Sequence, residues 1–171
     1  MATKPATSNS AGKTGAPAVN SSRNFGSGLF FGIGLIAFMD EVVFHQLLQW
    51  HHFYDLATTR IGILSDGLLN SFAWFAAIFS LFMVADLRRK NAFWLKKWIG
   101  ASFLGAGAFQ LFDGLINHKV LNLHQIRYNV DLLPYDLIWN ISAVLLLLTG
   151  AFILSKARTP QKKKKAGRSD A

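Results

Sequence analysis

GIGLIAFMDEVVFHQLLQWHH (residues 32–52) and GAGAFQLFDGLINHKVLNLH (residues 105–124) carry one pattern twice. The first copy holds Gly32, Gly34, Asp40, His45 and His51; the second holds Gly105, Gly107, Asp113, His118 and His124 at the same spacing. Both lie in apolar stretches of membrane-crossing length, where an ionisable side chain costs about 2.5–3.5 kcal/mol and is rarely kept without a partner. Costly residues placed twice at the same depth point to one shared site.

An offset of 73 pairs residues 25–52 with 98–125, and an offset of 70 then pairs Asp66 with Asp136 and Asn70 with Asn140. This is the pattern of a duplicated helical hairpin, and two hairpins in the same orientation imply a pseudo-twofold axis along the membrane normal. The expected fold is therefore all-α, a four-helix transmembrane bundle of two tandem hairpins. Its spans run over about 25–49, 61–85, 98–121 and 135–154, each near the ~20 residues that a crossing helix needs. Gly28 and Gly32 match Ala101 and Gly105, small-x-x-x-small pairs that let helices 1 and 3 approach closely.

The composition agrees. Of 171 residues, 51% are hydrophobic and 16% charged, and residues 29–39, 67–85 and 137–155 carry no charge. Fifteen of the eighteen Lys and Arg residues lie in the two tails and the central linker. That distribution places both termini in the cytoplasm and the 50s and 120s loops outside. It also argues against nucleic acid as the partner of the +9 net charge. The expected organisation is a disordered cytoplasmic tail (1–24), a first hairpin (25–86), a basic linker (87–97), a second hairpin (98–155) and a polybasic disordered tail (156–171). Residues 1–24 lack the apolar core of a signal peptide.

The chain has no cysteine, so any metal is held by nitrogen and oxygen. At about 100° per residue, Asp40 and His51 fall nearly in line on a helix, whereas His45 sits well round from Asp40; Asp113, His118 and His124 repeat this. One α-helix then cannot gather its own ligands, and four helices together enclose a polar cluster. Asp66 and Asp136 are expected at the same depth. Imidazole accepts Zn, Cu, Fe or Ni, and carboxylate adds charge neutralisation. The candidate metal residues are Asp40, His45, His51, Asp66, Asp113, His118, His124 and Asp136.

Blander roles compete. An intramembrane Asp also serves as an interhelical tie, Asn70 and Asn140 read as ties before ligands, and His51 and His52 beside Trp50 suit a membrane interface. Glu41 has no counterpart, since Gly114 takes its place, and reads as a ligand of its own or a partner for Arg60. Haem is an alternative, with His45 and His118 as axial ligands. A proton pathway is disfavoured because only Gly and apolar residues lie beyond Asp40 towards the cytoplasm. No nucleophile sits beside a repeated His, which argues against a serine or cysteine hydrolase.

The segment 32–52, with Phe112–Tyr128 and Tyr135–Asn140, resembles a bacterial four-span membrane family catalogued as domain-of-unknown-function family 2243, over about residues 26–155. The resemblance implies a protein of the bacterial inner membrane, sometimes associated with cytochrome oxidase assembly factors, without an established activity. Two positions depart from the family pattern: Glu41 where Gly is usual and Asn70 where His is usual. The combined expectation is an integral membrane protein that binds a transition metal, copper or iron before zinc, in metal handling or beside respiratory enzymes. The lipid bilayer and oxidase assembly proteins are the expected partners, and a homo-oligomer is compatible with this reading.

Overall fold

The computed structural model describes residues 20–158. The two tails expected to be disordered lie outside these residues, apart from a few residues at their inner ends. The described chain is helical, with four helices long and apolar enough to cross a membrane. They are α1 (Ser21–Asp40), continued by a π-helical turn (Glu41–Leu47); α2 (Thr59–Arg89); α3 (Leu95–Phe112), continued by a second π-helical turn (Asp113–Val120); and α4 (Leu133–Ser155).

The helices begin and end where local chemistry dictates. Asn20 caps α1, its side chain accepting from the Arg23 backbone N–H at 2.9 Å, so the helix starts four residues before the expected Phe25. α2 runs on to Arg89 because Arg88 and Arg89 complement the negative end of its dipole. There Asp86 pairs with Arg23, Arg89 and Lys90 at 2.8–2.9 Å. The expected linker 87–97 accordingly shrinks to a short turn before Leu95.

α1 and α3 form the central pair, with α2 packed on α1 and α4 on α3. The paired glycines explain this arrangement, because each faces a different neighbour. A methyl group on Gly32 would overlap the Ser102 carbonyl oxygen, and one on Gly105 would overlap that of Leu29. One on Gly34 would lie 2.6 Å from the Ala73 carbonyl oxygen, and one on Gly107 2.7 Å from that of Ala143. The first two positions set α1 against α3; the other two seat α2 and α4. Backbones this close favour dispersion contacts between helices, the main attraction available where lipid is as apolar as the side chains.

The interior is correspondingly small and polar. Ala37, Ala73, Ala101 and Ala143 are fully buried, while Phe72, Phe75, Phe82, Ile138, Leu148 and Phe152 face outward. Such an inverted pattern suits a hydrocarbon solvent. Away from the histidines, several buried polar side chains tie the helices together, although Asn70 Oδ1, Trp98 Nε1, Gln125 Oε1 and Asn140 Oδ1 are buried without a partner. Asn24 bonds the Ala92 carbonyl (2.9 Å) and the Trp94 N–H (2.7 Å). Ser80 donates to the Ser27 carbonyl (2.6 Å), and Gln110 and Trp139 each donate to the other's carbonyl (3.0 and 3.1 Å).

Candidate metal centre

Both π-helical turns begin beside the repeated aspartates. An i→i+5 hydrogen-bond pattern brings residues five apart onto one face, and Asp40 and His45, like Asp113 and His118, are five apart. His118 Nε2 lies 3.1 Å from Asp113 Oδ2, and His45 Nε2 lies 3.8 Å from Asp40 Oδ2. This corrects the α-helical expectation that each His stands well round from its Asp. Each turn gathers its own pair.

The turns end on residues with left-handed backbone, Gln49 (φ 50°) and Asn122 (φ 49°), which reverse the chain. Trp50 N–H then bonds the Phe44 carbonyl, and Leu123 N–H the Asn117 carbonyl, both at 2.9 Å. The reversal carries His51 and His124 back over the bundle instead of onward along a helix. There each crosses to the other hairpin: His51 Nδ1 donates to the Ile126 carbonyl and His124 Nδ1 to the Phe53 carbonyl, both at 2.9 Å.

Those two bonds fix the chemistry. A carbonyl oxygen only accepts, so Nδ1 carries the hydrogen in both rings and Nε2 is left with its lone pair. The two rings stack, 7° from parallel with centroids 4.6 Å apart. His45 approaches His51 at 4.5 Å and His118 approaches His124 at 4.6 Å. The Nε2 atoms of all four rings are buried without a hydrogen-bond partner. Burial, reinforced by the neighbouring imidazoles, pushes the His51 pKa down to about 2. Burial also pushes His124 down to about 4, against the opposing pull of Asp113. Both rings are therefore neutral at pH 7, the form that binds metal.

Ligand atoms of His51, His118 and His124 lie within 4.8 Å of one another, as do those of Asp40, His45 and His51. Asp113 borders the first group, 3.7 Å from His124 Nε2. His51 belongs to both. Asp66, on α2, reaches the same cluster from behind His45, its Oδ1 lying 3.1 Å from His45 Nδ1 and accepting from the Phe53 N–H at 2.8 Å.

Seven of the eight candidate residues thus meet at one end of the bundle. Asp136 stands apart, ion-paired with Lys119. Glu41 and His52 join the group from outside the candidate set. Glu41 contacts His45 and Gln46, not Arg60, and His52 Nδ1 bonds Asp66 Oδ2 at 2.6 Å. The unmatched carboxylate at Glu41 was the available signal. For His52 the adjacent Trp50 pointed to the interface instead.

Four membrane-length helices, with small residues inside and large apolar ones outside, define a polytopic integral membrane protein. The chain belongs to the family of predicted membrane proteins DUF2243, whose model matches residues 27–157. No curated protein and no solved structure matches it.

Proposed function

We propose that this protein binds a transition metal, copper or iron before zinc, at the cluster of Asp40, His45, His51, Asp113, His118 and His124, and serves in metal handling or beside respiratory enzymes. One observation carries the reading: four imidazole Nε2 atoms are buried without partners in rings that pack together, whereas Asn70 and Asn140 each leave a single amide oxygen unpaired and the ties at Asn24, Ser80 and Gln110 are satisfied. A buried polar atom left unpaired costs about 1–3 kcal/mol. Four such lone pairs gathered in one place suit a cation, which needs them free.

Charge supports the same conclusion. Asp40, Glu41, Asp66 and Asp113 are 1–4% exposed, and among the described residues no Lys or Arg pairs with any of them. Imidazole selects Cu, Fe, Ni or Zn, and the bordering carboxylates neutralise a divalent charge. The matching positions of residues 73 apart support descent from a duplicated hairpin. The crowding of Arg23, Arg88, Arg89, Lys90, Lys96 and Lys97 at the opposite end supports an extracytoplasmic site in a bacterial inner membrane. Oxidase assembly proteins as partners rest on the family resemblance alone. A bare ion fits better than haem, since His51 packs at 4.5 Å from His45 and 6.2 Å from His118, where a porphyrin between those rings would lie.

Elemental analysis and electron paramagnetic resonance of the detergent-purified protein test the proposal. The native chain should retain a transition metal, and the double variant Asp40→Ala, Asp113→Ala should retain at least tenfold less. Equal and negligible metal in both folded proteins would defeat it.

A further inference from the structure

The two hairpins are alike around the four imidazoles and unlike behind them. Behind His45 stand Glu41 and Asp66; behind His118 the residue matching Glu41 is Gly114, and the one matching Gln46 is Lys119. Lys119 reaches Asp136, the match of Asp66, and supplies that hairpin with a tethered cation. Glutamate cannot simply be added there, because a Cβ on Gly114 would lie 2.6 Å from both Asn140 Oδ1 and Trp139 Cδ1. The first hairpin has the carboxylates without the lysine.

Its groups converge closely. Glu41 Oε2 lies 2.8 Å from His45 Nδ1, and Asp66 Oδ1 lies 3.1 Å from the same nitrogen. One ring N–H cannot serve two carboxylates, and it is Asp66 that is aligned for the hydrogen bond. Glu41 Oε2 is left buried and unpartnered in a side chain only 1% exposed. Glu41 Oε1 accepts from Gln46 Nε2 at 2.7 Å, so the residue is held in place with one oxygen free. A cavity of about 720 Å³ opens beside this spot, lined by His45, Gln46, His51, His52, Asp55 and Asp66 among others, with Glu41 lying behind its wall. It is roomy and polar enough to hold coordinating water.

We infer that Glu41, Asp66 and Nδ1 of His45 form a second cation site, distinct from the four-imidazole centre, that takes a hydrated divalent cation from the cavity. The inference deepens the metal reading by giving the centre a second ion, held between the cavity and the imidazoles, and a way in past Asp66 and His45. Two carboxylates and one imidazole favour a harder ion than the histidine centre does, with Mn²⁺ a suitable probe. On binding, the His45 Nδ1 proton leaves to solvent and the nitrogen lone pair takes up the cation, so the ring spans both sites.

The test uses the full-length chain in detergent, loaded with Zn²⁺, freed of excess and titrated with Mn²⁺ while electron paramagnetic resonance counts free and bound Mn²⁺. The native protein should bind one Mn²⁺ per chain. Glu41→Gln should weaken that binding at least tenfold and leave the Zn²⁺ content unchanged. Gln46→Lys removes no ligand and guards against misfolding as the cause. It installs the ammonium that Lys119 provides in the other hairpin and should likewise exclude Mn²⁺. Equal Mn²⁺ affinity in native, Glu41→Gln and Gln46→Lys proteins would overturn the inference, as would no Mn²⁺ bound by folded native protein. Failure of the histidine centre looks different: no Zn²⁺ is retained, while Glu41-dependent Mn²⁺ binding still supports the second site.

Discussion

Replacing His118 by leucine separates a ligand from a structural tie by the sign of its effect. His118 is 1% exposed, and both its ring nitrogens lack hydrogen-bond partners. Its Nε2 lies 3.1 Å from Asp113 Oδ2 without the alignment of a hydrogen bond, and Asp113 Oδ1 keeps its bond from Asn117 Nδ2 at 2.8 Å. Leucine is similar in size, so the cavity term is small, and two orphaned polar atoms disappear. At about 1–3 kcal/mol for each unpaired buried group, less the lost attraction to Asp113, metal-free His118→Leu should be at least as stable as metal-free native protein, by up to about 3 kcal/mol. Metal should reverse the ranking. A site filled at a hundred times its dissociation constant adds about 2.7 kcal/mol, which the native protein gains and the variant forgoes. Denaturant unfolding in mild detergent micelles, followed by circular dichroism with and without Cu²⁺ or Zn²⁺, measures both quantities. A metal-free variant more than about 2 kcal/mol less stable than native protein, together with native stability indifferent to metal, would refute the reasoning and make His118 a tie.

Two further outcomes follow from the same geometry. His51 and His124 have folded pKa values lowered to about 2 and about 4, so the unfolded chain binds more protons between those values and the ordinary 6.5. Stability of the metal-free protein is therefore full above pH 6.5 and declines as pH falls below it, by about 2 kcal/mol per histidine at pH 5; unfolding midpoints that match at pH 7.5 and pH 5 would contradict this. Asn24→Ala removes two buried bonds from α1 to the turn between α2 and α3 and should cost about 1–3 kcal/mol while leaving the metal content at the native level; a loss of metal would show that the two ends of the bundle are coupled.

Hydropathy and the repeat made the four helices legible, because each span is a long apolar run and each aspartate within it is conspicuous by its cost. The gathering of Asp40, His45, Asp113 and His118 was legible as a cluster but not in its geometry. An α-helical wheel separates residues five apart, and nothing in Glu41–Leu47 or Asp113–Val120 announces a wider turn. His51 and His124 were read as continuing their helices, whereas left-handed Gln49 and Asn122 turn the chain back first. Asp136 matched Asp66 in sequence, yet its ion-pair partner, Lys119, lies on another element. Contacts across elements depend on register, which spacing along one chain does not contain.

The exchange of carbonyls between His51 and His124 has a consequence for biogenesis. Each hairpin makes its own imidazoles but borrows their aim from its neighbour, so an isolated half would leave the rings free to turn and their tautomers unset. A nascent chain emerging from the ribosome therefore has no finished cluster until residue 126 is in place, so the aim of these rings is among the last features of the bundle to be set.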